Sequence, residues 1–172
     1  MKTQWHQYEK EQDYETYQGT LPHTSEGDLM IQSFNGENRF LSNFYPCDIS
    51  DVFMLHYHSV EAAYQASKTM EFEEREQFSK ITNPAYAKAL GKKLILRDDW
   101  NEVKLRLMTN FIRQKFAFGS ELAQMLIDTE NEELIEGSWW GDKYWGVCNG
   151  KGENHLGKIL MARRLELKIE CE

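Results

Sequence analysis

The sequence predicts a helix-dominated α+β fold: a single domain with a small antiparallel β-sheet. Three observations point to it. Apolar residues recur at helical spacing through most of the second half of the chain, as at Trp100, Val103, Leu107 and Phe111. The segments that alternate like strands are few and short, and two of them lie back to back in "CDISDVFMLHYHS". The 172 residues suffice for one core and are too few for two.

The elements follow in order. Residues 1–27 are polar and lack periodicity, so they read as an N-terminal extension, with the domain proper spanning 28–172. "LMIQSF" (29–34) fits a strand, and "NGEN" (35–38) is turn chemistry. A hairpin is expected around Ser50 and Asp51, its second strand running into "HYHS". Ser59 is placed to cap a helix over 60–70, and "EFEEREQFSKI" continues in helix or forms a second short one. Asn83 and Pro84 read as N-cap and first turn of the next helix. Asp98 or Asp99 caps the longest helix, from Trp100 to about Phe118. "ELAQMLIDT" is a short helix, "ELIEG" (133–137) a strand, and "SWWGDKYWGVCNGKGEN" irregular. The last helix starts near Asn154.

Composition narrows the function. A formal net charge of −8 argues against indiscriminate grip on a nucleic-acid backbone, which needs clustered Lys and Arg. No apolar run reaches the roughly 20 residues that span a bilayer, and the N-terminus is too polar for a signal peptide. Cys47, Cys148 and Cys171 are widely spaced and form no CxxC pair. They read as free thiols of a reducing compartment, and the expected location is the cytoplasm. His56 and His58 could share a strand face, but no third ligand accompanies them, so no metal is expected.

Three places carry chemistry-bearing residues. In "YHSVEAAYQASK", Glu61, Gln65 and Lys68 fall within one sector of a helix. By spacing alone that is the solvated face of an amphipathic helix. Ala62, Ala63 and Ala66 argue instead for a helix packed on several sides. In "SWWGDKYWG", Trp139, Trp140 and Trp145 surround Asp142, either as core-plugging aromatics or as a stacking platform beside a carboxylate. "NGKGEN" (149–154) is an ordinary turn, or one whose N–H groups at a helix start attract phosphate.

Taken together and in order, "FLSNFYP", "SVEAAYQASK", "GKKLILRDDWNEVKLRLM", "ELIEG…WWGDKYWG" and "GKGENHLGKILMARR" resemble the NADAR (YbiA-like) family over about residues 30–168. The resemblance implies an enzyme that hydrolyses an N-glycosidic bond between a base and ribose or ADP-ribose. Removal of ADP-ribose from modified guanine or nucleic acid leads. An N-glycosidase of the ribosylamino phosphates of riboflavin synthesis and a non-catalytic ADP-ribose-binding module are the alternatives. No metal or other cofactor is implied. The partners implied are an ADP-ribose or ribose-phosphate moiety and, transiently, modified nucleic acid, with no membrane and no obligate protein partner.

With that substrate, the residues take roles. Glu61 stabilises positive charge on the ribose and orients water or attacks C1′. Asp142 protonates the leaving base or positions it. Lys68 neutralises phosphate, or captures a ring-opened ribose as a Schiff base. Gln65 holds ribose hydroxyls, and Asn43 with Phe44 in "LSNF" contacts ribose or base. Trp100 and Lys104 share a helix face for stacking and anion contact, while Trp145 stacks with Gly146 as a hinge beside it. Gly152 and Asn154 shape the phosphate end. The chain departs from the usual family pattern by its polar extension and by Trp-Trp-Gly where Trp-His is common before Asp142, which leaves the leaving-group acid open.

Overall fold

The computed structural model describes residues 30–138 and 141–171, so the expected extension over 1–27 and the ring positions Trp139 and Trp140 lie outside the described residues. Within them the chain forms six α-helices, one 3-10 helix and two pairs of short strands. The helix-dominated α+β class is what the sequence predicts.

The expected hairpin is present. β2 (Pro46–Ser50) pairs antiparallel with β3 (His56–Ser59), Ile49 opposite Tyr57, with a register irregularity between Pro46 and Ile49. Its turn is organised by Asp51. Oδ1 accepts the N–H groups of Phe53 (2.9 Å) and Leu55 (3.1 Å), and Oδ2 accepts from the Tyr57 hydroxyl (2.7 Å) and Arg75 Nη1 (2.9 Å). Both side chains of the Arg75–Asp51 pair are 3% exposed, so the hairpin is riveted to the next helices by a buried ion pair.

The other two expected strands shrink to two residues each. β1 (Met30–Ile31) pairs in parallel with β4 (Glu133–Leu134), which adds a parallel ladder that the sequence reading lacks. The ladder stops because its backbone groups are taken elsewhere. Ile135 N–H still donates to Ile31, but Glu136 N–H turns to the side chain of Asn154. On the other side the chain enters a 3-10 helix at Gly36–Leu41, where a turn and loop are expected.

α1 (Val60–Ala66) is capped by Ser59, whose Oγ accepts Ala62 N–H at 3.1 Å. It ends at Ala66 rather than near residue 70, because Ser67 closes it by bonding its hydroxyl to Ala63 C=O (2.7 Å). All seven of its residues are buried, which overturns the solvated-face reading. α2 (Phe72–Ser79) and α3 (Pro84–Gly91) pack against it. α3 opens as the sequence predicts, Asn83 Oδ1 accepting from Ala85 (2.9 Å) and Tyr86 (3.3 Å) with Pro84 in the first turn.

α4 (Trp100–Lys115) buries Trp100, Val103, Met108, Phe111 and Ile112. Asp99 stands at its N-cap, yet its carboxylate bonds Arg97 instead of the helix. The helix stops three residues before Phe118: Phe116 leaves helical geometry and its carbonyl accepts from Arg163 Nε (3.1 Å). α5 (Glu121–Asp128) and α6 (His155–Glu170) complete the core, with Leu156, Leu160 and Leu167 fully packed. Arg164 of α6 bonds Thr129, which ends α5, and Glu132 C=O (2.9 Å). The two arginines thereby satisfy carbonyls that helix ends leave open. Cys47, Cys148 and Cys171 are free thiols. Among the described residues no helix is long and apolar enough to cross a membrane.

Removing one member of the buried Arg75–Asp51 pair strands the other charge. Arg75→Met should therefore destabilise the domain by about 3–5 kcal/mol, read as a fall in the urea midpoint at unchanged slope.

Candidate functional site

Glu61 lies in the first turn of α1 and is 6% exposed. Its N–H donates to Asn43 C=O (3.0 Å), which docks the "LSNF" loop on the helix start. Its Oε1 accepts from Gln65 Nε2 at 2.7 Å, one turn along the same helix. Burial is the foremost cause that raises the Glu61 pKa; Lys88, the Gln65 bond and Lys68 oppose it, and Asp142 adds to it.

Gln65 is held from the opposite side. Gly91 of α3 approaches so closely that a Cβ there would lie 2.0 Å from Gln65 Oε1. That oxygen is buried without a hydrogen-bond partner among the described residues, against the α3 backbone. Gln65 thus orients Glu61, with its amide oxygen turned to α3, where the sequence assigned it to ribose hydroxyls.

Lys68 sits in the turn after α1, half-buried, its N–H still bonded to Gln65 C=O (3.2 Å). Burial lowers its pKa first of all, with Lys88 and Lys92 lowering it further and Glu61 raising it. Its Nζ stands 5.8 Å from the Tyr64 ring centre and 6.0 Å from that of Trp100. Those rings are 5.1 Å apart, and Trp145 meets Tyr64 edge-on at 5.4 Å, its indole N–H donating to the Tyr64 hydroxyl (3.3 Å). One aromatic wall therefore joins α1, α4 and the Trp loop beside Glu61 and Lys68.

The expected pairing of Trp100 with Lys104 is divided. Trp100 is buried against Tyr64, whereas Lys104 Nζ lies 4.1 Å above the Tyr144 ring and bonds Asn101 (3.1 Å). Phe44 faces α3, with Lys88 Nζ 5.6 Å from its ring centre. Asn43 Oδ1 is buried and unpartnered, and its Nδ2 points to Met108 Sδ (3.6 Å).

Asp142 shapes its loop. Its Oδ1 accepts the N–H groups of Tyr144 (3.0 Å) and Trp145 (2.9 Å), and its own N–H donates to Ser138 Oγ (2.8 Å). Gly146 and Gly152 are points of close approach. A Cβ on Gly146 would meet Glu136 C=O at 2.3 Å, and one on Gly152, at φ +158°, would meet Gly146 C=O at 2.1 Å. Asn154, at φ +50°, accepts from Glu136 N–H (3.1 Å) and donates to Leu134 C=O (2.9 Å). The phosphate reading of "NGKGEN" fails here. The N–H groups of residues 153–156 that open α6 already donate to the carbonyls of residues 143–146. Gly152 and Asn154 brace the loop rather than form a phosphate end.

Sequence reasoning missed Tyr64, Lys88 and Glu136. Lys88 acts on Glu61, Lys68 and Glu136 at once. The available signal was its spacing of three from Gly91, which puts both on one face of α3. Glu136 follows buried Leu134 by two residues in an extended segment, the spacing that returns a side chain to the same side. Lys115, bonded to Ser42 C=O (2.6 Å), lies beneath the site, its pKa pushed down to about 7 by burial.

The site is thus a buried carboxylate flanked by lysines and one aromatic wall, in a chain whose residues 31–168 match the NADAR domain model. The chain belongs to the NADAR family. YbiA of Escherichia coli, named an N-glycosidase, is 35% identical over 113 residues, covering 64% of this chain and 70% of YbiA. An N-glycosidase of Nostoc punctiforme is 35% identical over 135 residues, 74% of this chain and 84% of that protein. A riboflavin biosynthesis protein of Vibrio vulnificus is 36% identical over 132 residues, and the match spans 35% of its length. The NMR structure of E. coli YbiA superposes with a TM-score of 0.73 at 32% identity, covering 83% of this chain and 87% of that one. Fold and enzyme class, an N-glycosidase, agree with the sequence reading of this NADAR protein.

Adding a methyl at Gly91 tests whether Gln65 positions Glu61. Gly91→Ala should displace Gln65 at a stability cost of about 1–3 kcal/mol and lower N-glycosidase turnover by about 10²-fold, the scale of a 1 Å misplacement. Steady-state rates with a thermal melt as folding control measure it.

Proposed function

We propose that this NADAR protein hydrolyses the C1′–N bond between a flat heterocycle and a phosphorylated ribose, with ADP-ribose on guanine as the leading substrate. One observation carries the reading: a buried carboxyl, Glu61, tethered to Gln65 and influenced by Lys68 and Lys88, beside the Tyr64–Trp100–Trp145 wall. As the C1′–N bond stretches, positive charge grows on the ribose. A carboxylate shut off from water stabilises that charge more strongly than one in solvent, and it can draw a proton from the attacking water. The aromatic wall offers the apolar, flat surface on which a base or ring stacks. Lys88 and Lys92 both lie near enough to act on Lys68, a cationic edge suited to a phosphate or diphosphate. Lys68 serves there as the phosphate contact or as the amine that captures an opened ribose; borohydride trapping that is lost in Lys68→Ala distinguishes the two.

A ribosylamino phosphate of the riboflavin route is the second reading, favoured by the naming of the Vibrio relative. It has the same bond and the same charges. A polynucleotide carrying the ADP-ribosyl group would make contact locally, at the lysine edge, against a chain of net charge −8.

The test is base release from two substrates, an ADP-ribosylated guanosine oligonucleotide and a ribosylaminopyrimidine phosphate. Wild type should turn over at least one, and Glu61→Gln should be slower by about 10²–10⁴-fold, as for loss of a positioned acid–base group. Trp145→Ala should raise KM. Release by wild type no faster than by Glu61→Gln on both substrates removes the enzyme reading. Calorimetric ADP-ribose binding without turnover would replace it by a reader.

A further inference from the structure

We infer that Glu136 is the general acid that protonates the departing base, the role that the sequence reading gave to Asp142. This rests on the proposed N-glycosidase reaction and supplies the proton that Glu61 leaves unassigned. Asp142 already uses Oδ1 to accept two backbone N–H groups, Tyr144 and Trp145, and so acts as an acceptor. Glu136 is placed differently. Its N–H is held by Asn154 Oδ1 (3.1 Å), its C=O accepts from Val147 (2.8 Å), and Gly146 presses against the same carbonyl. The backbone is pinned on both sides, and the side-chain Oε2 is buried with no hydrogen-bond partner among the described residues.

An orphaned buried carboxyl oxygen needs a reason, since burying a polar atom without a partner forfeits its hydration for nothing. A carboxylic acid whose acceptor arrives with the substrate is such a reason. The groups facing Glu136 set its proton. Glu61 from α1 and Asp142 from the loop disfavour its charge, Lys88 from α3 and Lys115 from α4 favour it, and burial exceeds them all. The result is a pKa pushed up to about 8, so the group carries a proton at neutral pH. Burial raises both Glu61 and Glu136, and their contacts divide the roles: Glu61 Oε1 accepts from Gln65, whereas Glu136 Oε2 is left open among the described residues.

The step balances as a hydrolysis. The C1′–N bond breaks and its electron pair goes to the base nitrogen, which takes the Glu136 proton. Water adds to C1′ and gives its proton to Glu61. Solvent exchange then removes the proton from Glu61 and restores one to Glu136, with one water consumed.

Glu136→Gln keeps the shape but has no acidic proton. It should lower kcat by about 10²–10⁴-fold for a base that must leave protonated, with KM little changed. It should barely affect an N-ribosylpyridinium phosphate, whose pyridine departs neutral. The wild-type rate should fall as pH rises through about 8, where the acid is lost, and this limb should vanish in the variant. Stability supplies a fold control with a worked sign. Between an unfolded carboxyl near 4.3 and the folded value, the native state holds a proton that the unfolded state lacks, so wild type loses stability as pH rises. The melting temperature of Glu136→Gln should decline less than that of wild type over this range, the remainder coming from Glu61, which burial also raises. An unchanged pH limb, or equal losses on both substrates, overturns the role of Glu136 while leaving the N-glycosidase reading in place. A wild type that releases no base from any of these substrates removes that reading and the acid role with it.

Discussion

A seven-residue helix without a solvent face governs this structure. Every residue of α1 is buried, yet two of the seven are Glu61 and Gln65. Removing a carboxylate from water costs several kcal/mol unless charge and hydrogen bonds replace the lost hydration. The elements around α1 supply them: Gln65 from within, Lys88 from α3, Lys68 from the following turn. Ala62, Ala63 and Ala66, all at 0% exposure, let those elements come close. Gly91 carries the approach to its limit at Gln65. The same packing that builds the core therefore builds the site: Gln65 and the lysines offset part of the cost of burying Glu61, and burial still outweighs them.

A second constraint acts on the segment after β4. It lies in extended contact with residues 146–148, held by Val147 N–H to Glu136 and Ser138 N–H to Val147, both 2.8 Å. Asn154 ties it to the start of α6, and the N–H groups of that start close on the Trp loop. Asp142 then curls the loop so that Trp145 reaches Tyr64. Loop, helix start and α1 are thus one hydrogen-bonded unit, which explains why glycines recur there. At positions 146 and 152 a side chain would occupy space already filled by a carbonyl.

Much of the fold was legible. Ser59 and Asn83 each cap a helix as read, because a short oxygen-bearing side chain before an apolar pattern has few other uses. The hairpin around Asp51 followed from the same turn chemistry. Glu61 was legible as a candidate because the alanines beside it argued against a wet face. What stayed hidden depended on distant partners. Residues 133–137 were read only as a strand, and the segment that covers Glu136, around Gly146 and Asn154, comes later in the chain. Asp99 had the right position for a cap, and only the neighbouring Arg97 diverted it. The α6 start offered free N–H groups by sequence, and carbonyls of a loop before it in the chain consumed them. Trp100 and Lys104 shared a helix side, but Tyr144 drew the lysine away.

The local and global charges of the chain point in opposite directions, and their ranges decide which governs the site. The net charge of −8 repels an anionic ligand at long distance, but at physiological salt that repulsion fades over about 8 Å. Inside that range Lys68, Lys88 and Lys92 dominate, and Lys68 is already half removed from water. A partly desolvated lysine interacts more strongly with phosphate than a surface one, because less hydration remains to be displaced. Lys68 and Lys88 also act on Glu61, lowering a pKa that burial raises, so an anion entering this edge would weaken their pull on the carboxyl. Substrate binding and the basicity of Glu61 are therefore linked through Lys68 and Lys88.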